Sequence, residues 1–116
     1  MTGQSSLCKG ETLTACLGMA KEAALQSGRF LQKRQVLDIV SERGKDIKLA
    51  ADLESEAIIV DLLHEKSDIQ ILSEERGLIS KSKSDKWLMW IIDPLDGSYN
   101  YKSDIPLCCV SIALWD

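Results

Sequence analysis

Between Thr12 and Leu31 the apolar and small residues Leu13, Cys16, Leu17, Ala20 and Ala24 recur at intervals near three and four, which places them on one side of an amphipathic helix. Gly28, near its end, is expected to mark a close contact. From Val36 to Ala51 apolar residues alternate loosely with charges, which predicts a short strand or a hairpin turning around Glu42-Arg43-Gly44-Lys45. A second helix is expected from Asp52, whose side chain can cap it. Glu54 and Glu56 then fall in the first turn, where negative charge opposes the positive end of the helix dipole. Its inward stripe reads Leu53, Ala57, Val60 and either Leu63 or His64.

Beyond this helix the period shortens. Asp68 to Leu72 is short and β-prone, and it delivers Ser73-Glu74-Glu75 at its carboxyl end. Ser80 to Lys86, rich in serine and lysine, predicts a loop or flap. Trp87-Leu88-Met89-Trp90-Ile91-Ile92 is a continuous apolar run too short for a typical helix and reads as a buried central strand, stopping at Asp93. Leu107 to Trp115 predicts a further strand. The order predicts one α/β layered domain over residues 1–116, two helices packed on a mainly antiparallel sheet, without repeats.

Composition narrows the function classes. With 116 residues, 45% hydrophobic and 28% charged, the chain supports one core. A formal net charge of −4 gives no basic footprint for nucleic acid or an anionic membrane, whereas converging acids can hold cations. No run has the length of a membrane span and Met1 to Ser6 does not begin like a signal peptide, so a cytoplasmic protein is expected. The four cysteines include no C-x-x-C pair; Cys108 and Cys109 are adjacent in a strand, and reduced, mostly buried thiols are expected.

The candidate chemistry lies in acids from two segments. Asp93 and Asp96 stand three apart across Pro94, so both carboxylates can face one point while the Leu95 carbonyl offers another oxygen to a hard cation. Gly97 lets backbone approach a ligand, and if Gly97-Ser98 opens a helical turn, its N–H groups and the Ser98 hydroxyl present donors to phosphate. Glu74 and Glu75, at the end of a neighbouring strand, complete an acidic pocket at the carboxyl edge of the sheet. The other reading is plain: Asp-Pro and Asp-Gly are common turn signals, and paired acids beside Arg76 are commonly a solvated loop.

The pairing of Ile71-Leu72-Ser73-Glu74-Glu75 with Trp90-Ile91-Ile92-Asp93-Pro94-Leu95-Asp96-Gly97-Ser98 resembles the lithium-sensitive, magnesium-dependent phosphatase superfamily, which pairs E-E after one strand with D-P-x-D-G-[ST] after the next. The continuation Tyr99-Asn100-Tyr101, Ile105-Pro106 and Val110-Ser111-Ile112-Ala113 is most similar to inositol monophosphatases and their bacterial relatives. The resemblance implies a sugar-phosphatase-like fold whose Glu74, Asp93, Asp96 and Leu95 carbonyl bind Mg²⁺, two or three ions in all, with inhibition by lithium. It implies that Gly97 and Ser98 meet substrate phosphate, that Glu75 supports the ligands, and that Asp52 with the Ser98 hydroxyl positions the attacking water, making Glu74, Asp52 and Ser98 the catalytic set. Asp52 as a simple cap is the bland alternative, and both roles can coexist. The implied reaction is metal-assisted hydrolysis of a small phosphomonoester, inositol monophosphate foremost, by a homodimer. A serine or cysteine nucleophile is not expected, since the one histidine, His64, lies within the second helix and reads as a surface or boundary residue.

The sequence departs from this pattern in three ways. Ser98 stands where threonine is commoner, Leu49 stands where the family usually has threonine, and the second half, with its W-D-x-A ligand and substrate wall, is absent. Trp115-Asp116 reads as a strand end, and Trp87 and Trp90 read as core. Fructose 1,6-bisphosphate and 3′-phosphoadenosine 5′-phosphate are alternative substrates within the same chemistry, and a catalytically incomplete metal-binding or dimerising chain is the alternative outside it.

Overall fold

A computed structural model describes residues 12–33, 39–43, 46–74, 76–79 and 88–115. Glu75, Trp87, the expected loop at 80–86, the hairpin tip at 44–45 and Asp116 lie outside the described residues.

The first helix, α1, spans Leu13–Gln32 and is capped by Thr12, whose Oγ1 accepts the Ala15 N–H at 3.0 Å. Its buried face is Cys16, Ala23, Ser27 and Leu31, while Leu13 and Leu17 are exposed, so the true stripe is rotated from the one the apolar residues suggested. Small residues explain the rotation: α1 packs on the second helix, and at their contact the hydroxyls of Ser27 and Ser55 are hydrogen-bonded. The close contact expected at Gly28 is absent, since a Cβ there would meet nothing within 4 Å.

Strands β1 (Ile39–Arg43) and β2 (Asp46–Leu49) are paired antiparallel, the hairpin rather than the single strand of the two arrangements the sequence allowed. Helix α2, Ala50–Lys66, follows without a loop and starts two residues before the expected point, so Asp52 is not its N-cap. The Asp52 carboxylate instead reaches back from the third helical position and accepts the Leu49 N–H at 2.6 Å, which satisfies a backbone donor that the first turn leaves open. Glu56 consequently sits in the second turn, and it is buried. Val60 and Leu63 face inward as expected, but Leu53 and Ala57 are exposed and the inner face carries Asp52, Ser55 and Glu56. His64 is half-buried.

The remaining elements are β3 (Gln70–Ser73), β4 (Gly77–Ile79), β5 (Met89–Asp96), the short α3 (Ser98–Lys102) and β6 (Cys109–Trp115). The sheet runs β4-β3-β5-β6, with β3 and β5 parallel and the two outer pairs antiparallel. Helices pack on one face over a core that includes Ala23, Ile59, Leu63, Ile69, Ile71, Trp90 and Ile92. Trp90 is 1% exposed and its indole N–H donates to Ser67 Oγ at 3.3 Å. Ile91, between two buried residues, is 36% exposed, so β5 is central but is buried on one side only by the described residues. That is the ordinary alternation of a strand, which an all-apolar run conceals.

A second cluster of Leu31, Leu49, Ala51, Leu95 and Tyr101 ties α1, β2, α2, β5 and α3 together. Its centre is Tyr101, whose hydroxyl donates to the Leu31 carbonyl at 2.5 Å. This cluster lies directly beneath the acidic end of β5.

Candidate metal and phosphate site

Because β3 and β5 run parallel, their carboxyl ends reach the same edge of the sheet, with Ser73 opposite Ile92. The Glu74 N–H extends the ladder by donating to the Ile92 carbonyl at 3.0 Å, so Glu74 leaves the sheet beside Asp93. β5 does not stop at Asp93, as the sequence had suggested, but continues to Asp96.

The pairing with β6 contains the decisive local irregularity. Asp93 pairs with Ser111 and Asp96 with Cys109, so two residues of β5, Pro94 and Leu95, lie opposite the single residue Val110. This is a β-bulge, and a proline, having no N–H, fits where the ladder lapses. In a regular strand residues three apart point to opposite faces. The extra residue cancels that alternation, and Asp93 and Asp96 come to the same face.

Asp93 is half-buried and its Oδ1 accepts the Leu95 N–H at 3.3 Å. Asp96 is exposed, with Oδ2 at 4.0 Å from Cys109 Sγ. Desolvation, followed by the charges of Asp96 and Asp93, pushes the Cys109 thiol above its ordinary pKa. The thiols were expected to be mostly buried, but among the described residues Cys16 alone is; Cys108 and Cys109 are exposed because they lie on the approach to and first position of an edge strand.

Behind the bulge stands a buried polar layer. Asp52 is fully buried, with Oδ2 on the Leu49 N–H and Oδ1 accepting from Ser98 Oγ at 2.8 Å. Ser98 Oγ also lies 3.2 Å from the Leu95 carbonyl, and Ser55 Oγ donates to the Pro94 carbonyl at 2.7 Å. The Pro94 carbonyl is thus held from below by the Ser55 hydroxyl, while the Ser98 hydrogen goes to Asp52 at the shorter distance. Gly97 has φ 91°, and a Cβ there would stand 2.7 Å from the Leu107 carbonyl oxygen, so glycine is required for both backbone and space. A pocket of about 370 Å³ beside it is lined by Leu31, Leu95, Tyr101, Ile105, Cys109 and Val110 among others.

The structure therefore brings Asp52 and Ser98 into direct contact and gathers Glu74, Asp93, Leu95, Asp96 and Gly97 at one sheet edge. Among the described residues no three His, Cys, Asp or Glu side chains are grouped so as to hold an ion between them. The donors are all oxygens, however, and Mg²⁺ commonly takes only one or two protein carboxylates, completing its shell with water and phosphate. In kind, the donor set fits such a cation. Sequence reasoning did not single out Ser27, Ser55, Glu56 and Arg76, whose contacts reach the Pro94 carbonyl on one side and Ser73 on the other. Their one legible signal was the spacing of Asp52 and Glu56, four apart and hence on one helix face.

A family model described as the inositol monophosphatase family matches residues 11–116. An inositol-1-monophosphatase of Synechocystis is 32% identical over 117 aligned residues, covering 97% of this chain and 40% of that protein. A Nus factor SuhB of Xylella fastidiosa is 38% identical over 87 residues, covering 74% of this chain and 30% of that protein. Among solved structures, the extragenic suppressor protein suhB of Bartonella henselae superposes with a TM-score of 0.78 at 30% identity, covering 88% of this chain and 41% of that one. The chain spans less than half the length of each of these relatives.

Proposed function

The chain belongs to the inositol monophosphatase family, and we propose that it carries the metal-binding and phosphate-binding edge of a Mg²⁺-dependent phosphomonoesterase whose substrate is inositol monophosphate. Glu74, Asp93, Asp96 and the Leu95 carbonyl hold the cations, two or three in number, with Glu75 in support. Gly97 and Ser98 face the phosphate. The observation that carries this reading is the bulge at Pro94-Leu95, which turns two acids three apart onto one face beside the strand end bearing Glu74.

A divalent cation bound here supplies Lewis-acid stabilisation and lowers the pKa of water. The chain's own contribution is orientation. The Ser98 hydroxyl keeps its proton and directs it in a hydrogen bond to the Asp52 carboxylate, which leaves the lone pairs of the Ser98 oxygen to accept a hydrogen bond from the attacking water. Asp52 is in turn fixed by the Leu49 N–H, so the relay from backbone to hydroxyl is set before substrate arrives.

The working protein in this reading is a cytoplasmic homodimer inhibited by lithium, with no nucleic-acid or membrane partner. No described helix is long and apolar enough to cross a membrane. A second reading, a metal-binding chain that acts by association rather than catalysis, is favoured by Ile91 and Trp115, which leave apolar surface uncovered on β5 and β6. Phosphate release decides between them. The full-length protein with Mg²⁺ is expected to liberate phosphate from inositol monophosphate faster than from fructose 1,6-bisphosphate or 3′-phosphoadenosine 5′-phosphate. Release from none of the three would leave the second reading.

A further inference from the structure

Glu56 is a carboxylate that this chemistry does not use, although it is 2% exposed. It lies on α2 four residues after Asp52 and therefore points to the same side of the helix. Its Oε2 accepts from the Ser73 hydroxyl, and its Oε1 meets the Arg76 guanidinium, with Nε at 2.5 Å. Ser73 and Arg76 bracket the turn that carries Glu74. One buried side chain thus grips both ends of the β3–β4 connection, using each of its oxygens once.

An ion pair whose carboxylate is buried is weak support for stability, because desolvation of that carboxylate offsets the attraction, and apolar packing would hold the helix against the sheet as well. What the pair adds is direction. An apolar residue at position 56 would leave the turn held by its backbone bonds to β4 and β5 alone, whereas two directional side-chain contacts tie it also to the helix that holds Asp52. The Arg76 side chain remains 54% exposed, so its charge answers Glu56 from the solvent side.

We infer that Glu56 is a positioning residue: by clamping Ser73 and Arg76 to α2 it sets the Glu74 carboxylate relative to Asp93. This rests on the metal-site reading above. Residues that orient metal ligands from behind commonly change affinity by about 10- to 100-fold when removed.

Full-length protein is titrated with Mg²⁺ by calorimetry, as wild type, Glu56→Ala, Glu56→Gln and Arg76→Ala, and each is also melted in EDTA. Glu56→Ala is expected to weaken Mg²⁺ binding about tenfold, and Arg76→Ala to weaken it in the same direction. Glu56→Gln, which can still accept from Ser73, is expected to fall between wild type and Glu56→Ala. A merely structural residue would lower the melting midpoint in EDTA and leave the affinity of the folded protein alone. Unchanged affinity in folded Glu56→Ala overturns the inference, and should that variant not fold, unchanged affinity in Arg76→Ala, altered at a half-exposed side chain, does the same. Wild type that takes up no Mg²⁺ overturns the underlying reading and the inference with it, a result visible before any variant is compared.

Discussion

Ser98 Oγ donates to Asp52 Oδ1 at 2.8 Å, joining the residue that opens α3 to one in the first turn of α2, 46 positions earlier. The bond closes the acidic sheet edge from below, and it joins the backbone N–H of Leu49 among the partners of the Asp52 carboxylate.

If this pair orients water, Asp52→Asn lowers kcat by about a hundredfold, the low end for losing a proton-handling group, with KM changed much less. It also costs about 1 kcal/mol of stability, because the Leu49 N–H exchanges a charged acceptor for a neutral one. Ser98→Thr retains activity and Ser98→Ala does not. Steady-state kinetics with chemical melts check all three, and a Ser98→Ala enzyme as active as wild type would remove the hydroxyl from the mechanism.

Gly97→Ala is expected to destabilise the protein by about 1–3 kcal/mol, since it forces a side chain into a left-handed backbone position and against the Leu107 carbonyl. The measurement is the denaturant midpoint. A change within experimental error would mean that the α3–β6 connection yields easily.

The Cys109 thiol is held above its ordinary pKa by desolvation, Asp96 and Asp93. Its thiolate, the reactive form, is therefore scarcer at a given pH than in a free thiol, and alkylation is slow near neutrality. Asp96→Asn removes one repelling charge, lowers the thiol pKa and speeds alkylation, as mass spectrometry of the Cys109 peptide over a pH series will report. Slower alkylation in Asp96→Asn would contradict the proximity of the two groups.

Much of this architecture was legible along the chain, for definable reasons. The helix over Leu13–Gln32, a paired strand before α2 and the existence of the strands that lead into Glu74 and Asp93 followed from period and punctuation. The inward face of α2 did not, because it buries Asp52, Ser55 and Glu56, and polar residues satisfied by distant partners carry no hydrophobic periodicity. The end of β5 was misjudged for a related reason. Pro94 reads as a strand stop, yet a bulge absorbs it and carries the strand on to Asp96, and only the register with β6 reveals this. The candidate motif residues stand out by their spacing, whereas the contacts of Glu56 with Ser73 and Arg76 needed three dimensions.

The central claim is that Asp93 and Asp96 share a face in order to hold a cation that holds phosphate. Calorimetric titration of Mg²⁺ into the full-length protein, with and without inorganic phosphate, tests it most directly when Asp93→Asn and Asp96→Asn are run beside wild type. Binding that phosphate strengthens, and that either substitution weakens by at least about tenfold, is the predicted result. Wild-type affinity retained in both folded variants would contradict the claim and reduce the bulge to a structural connection.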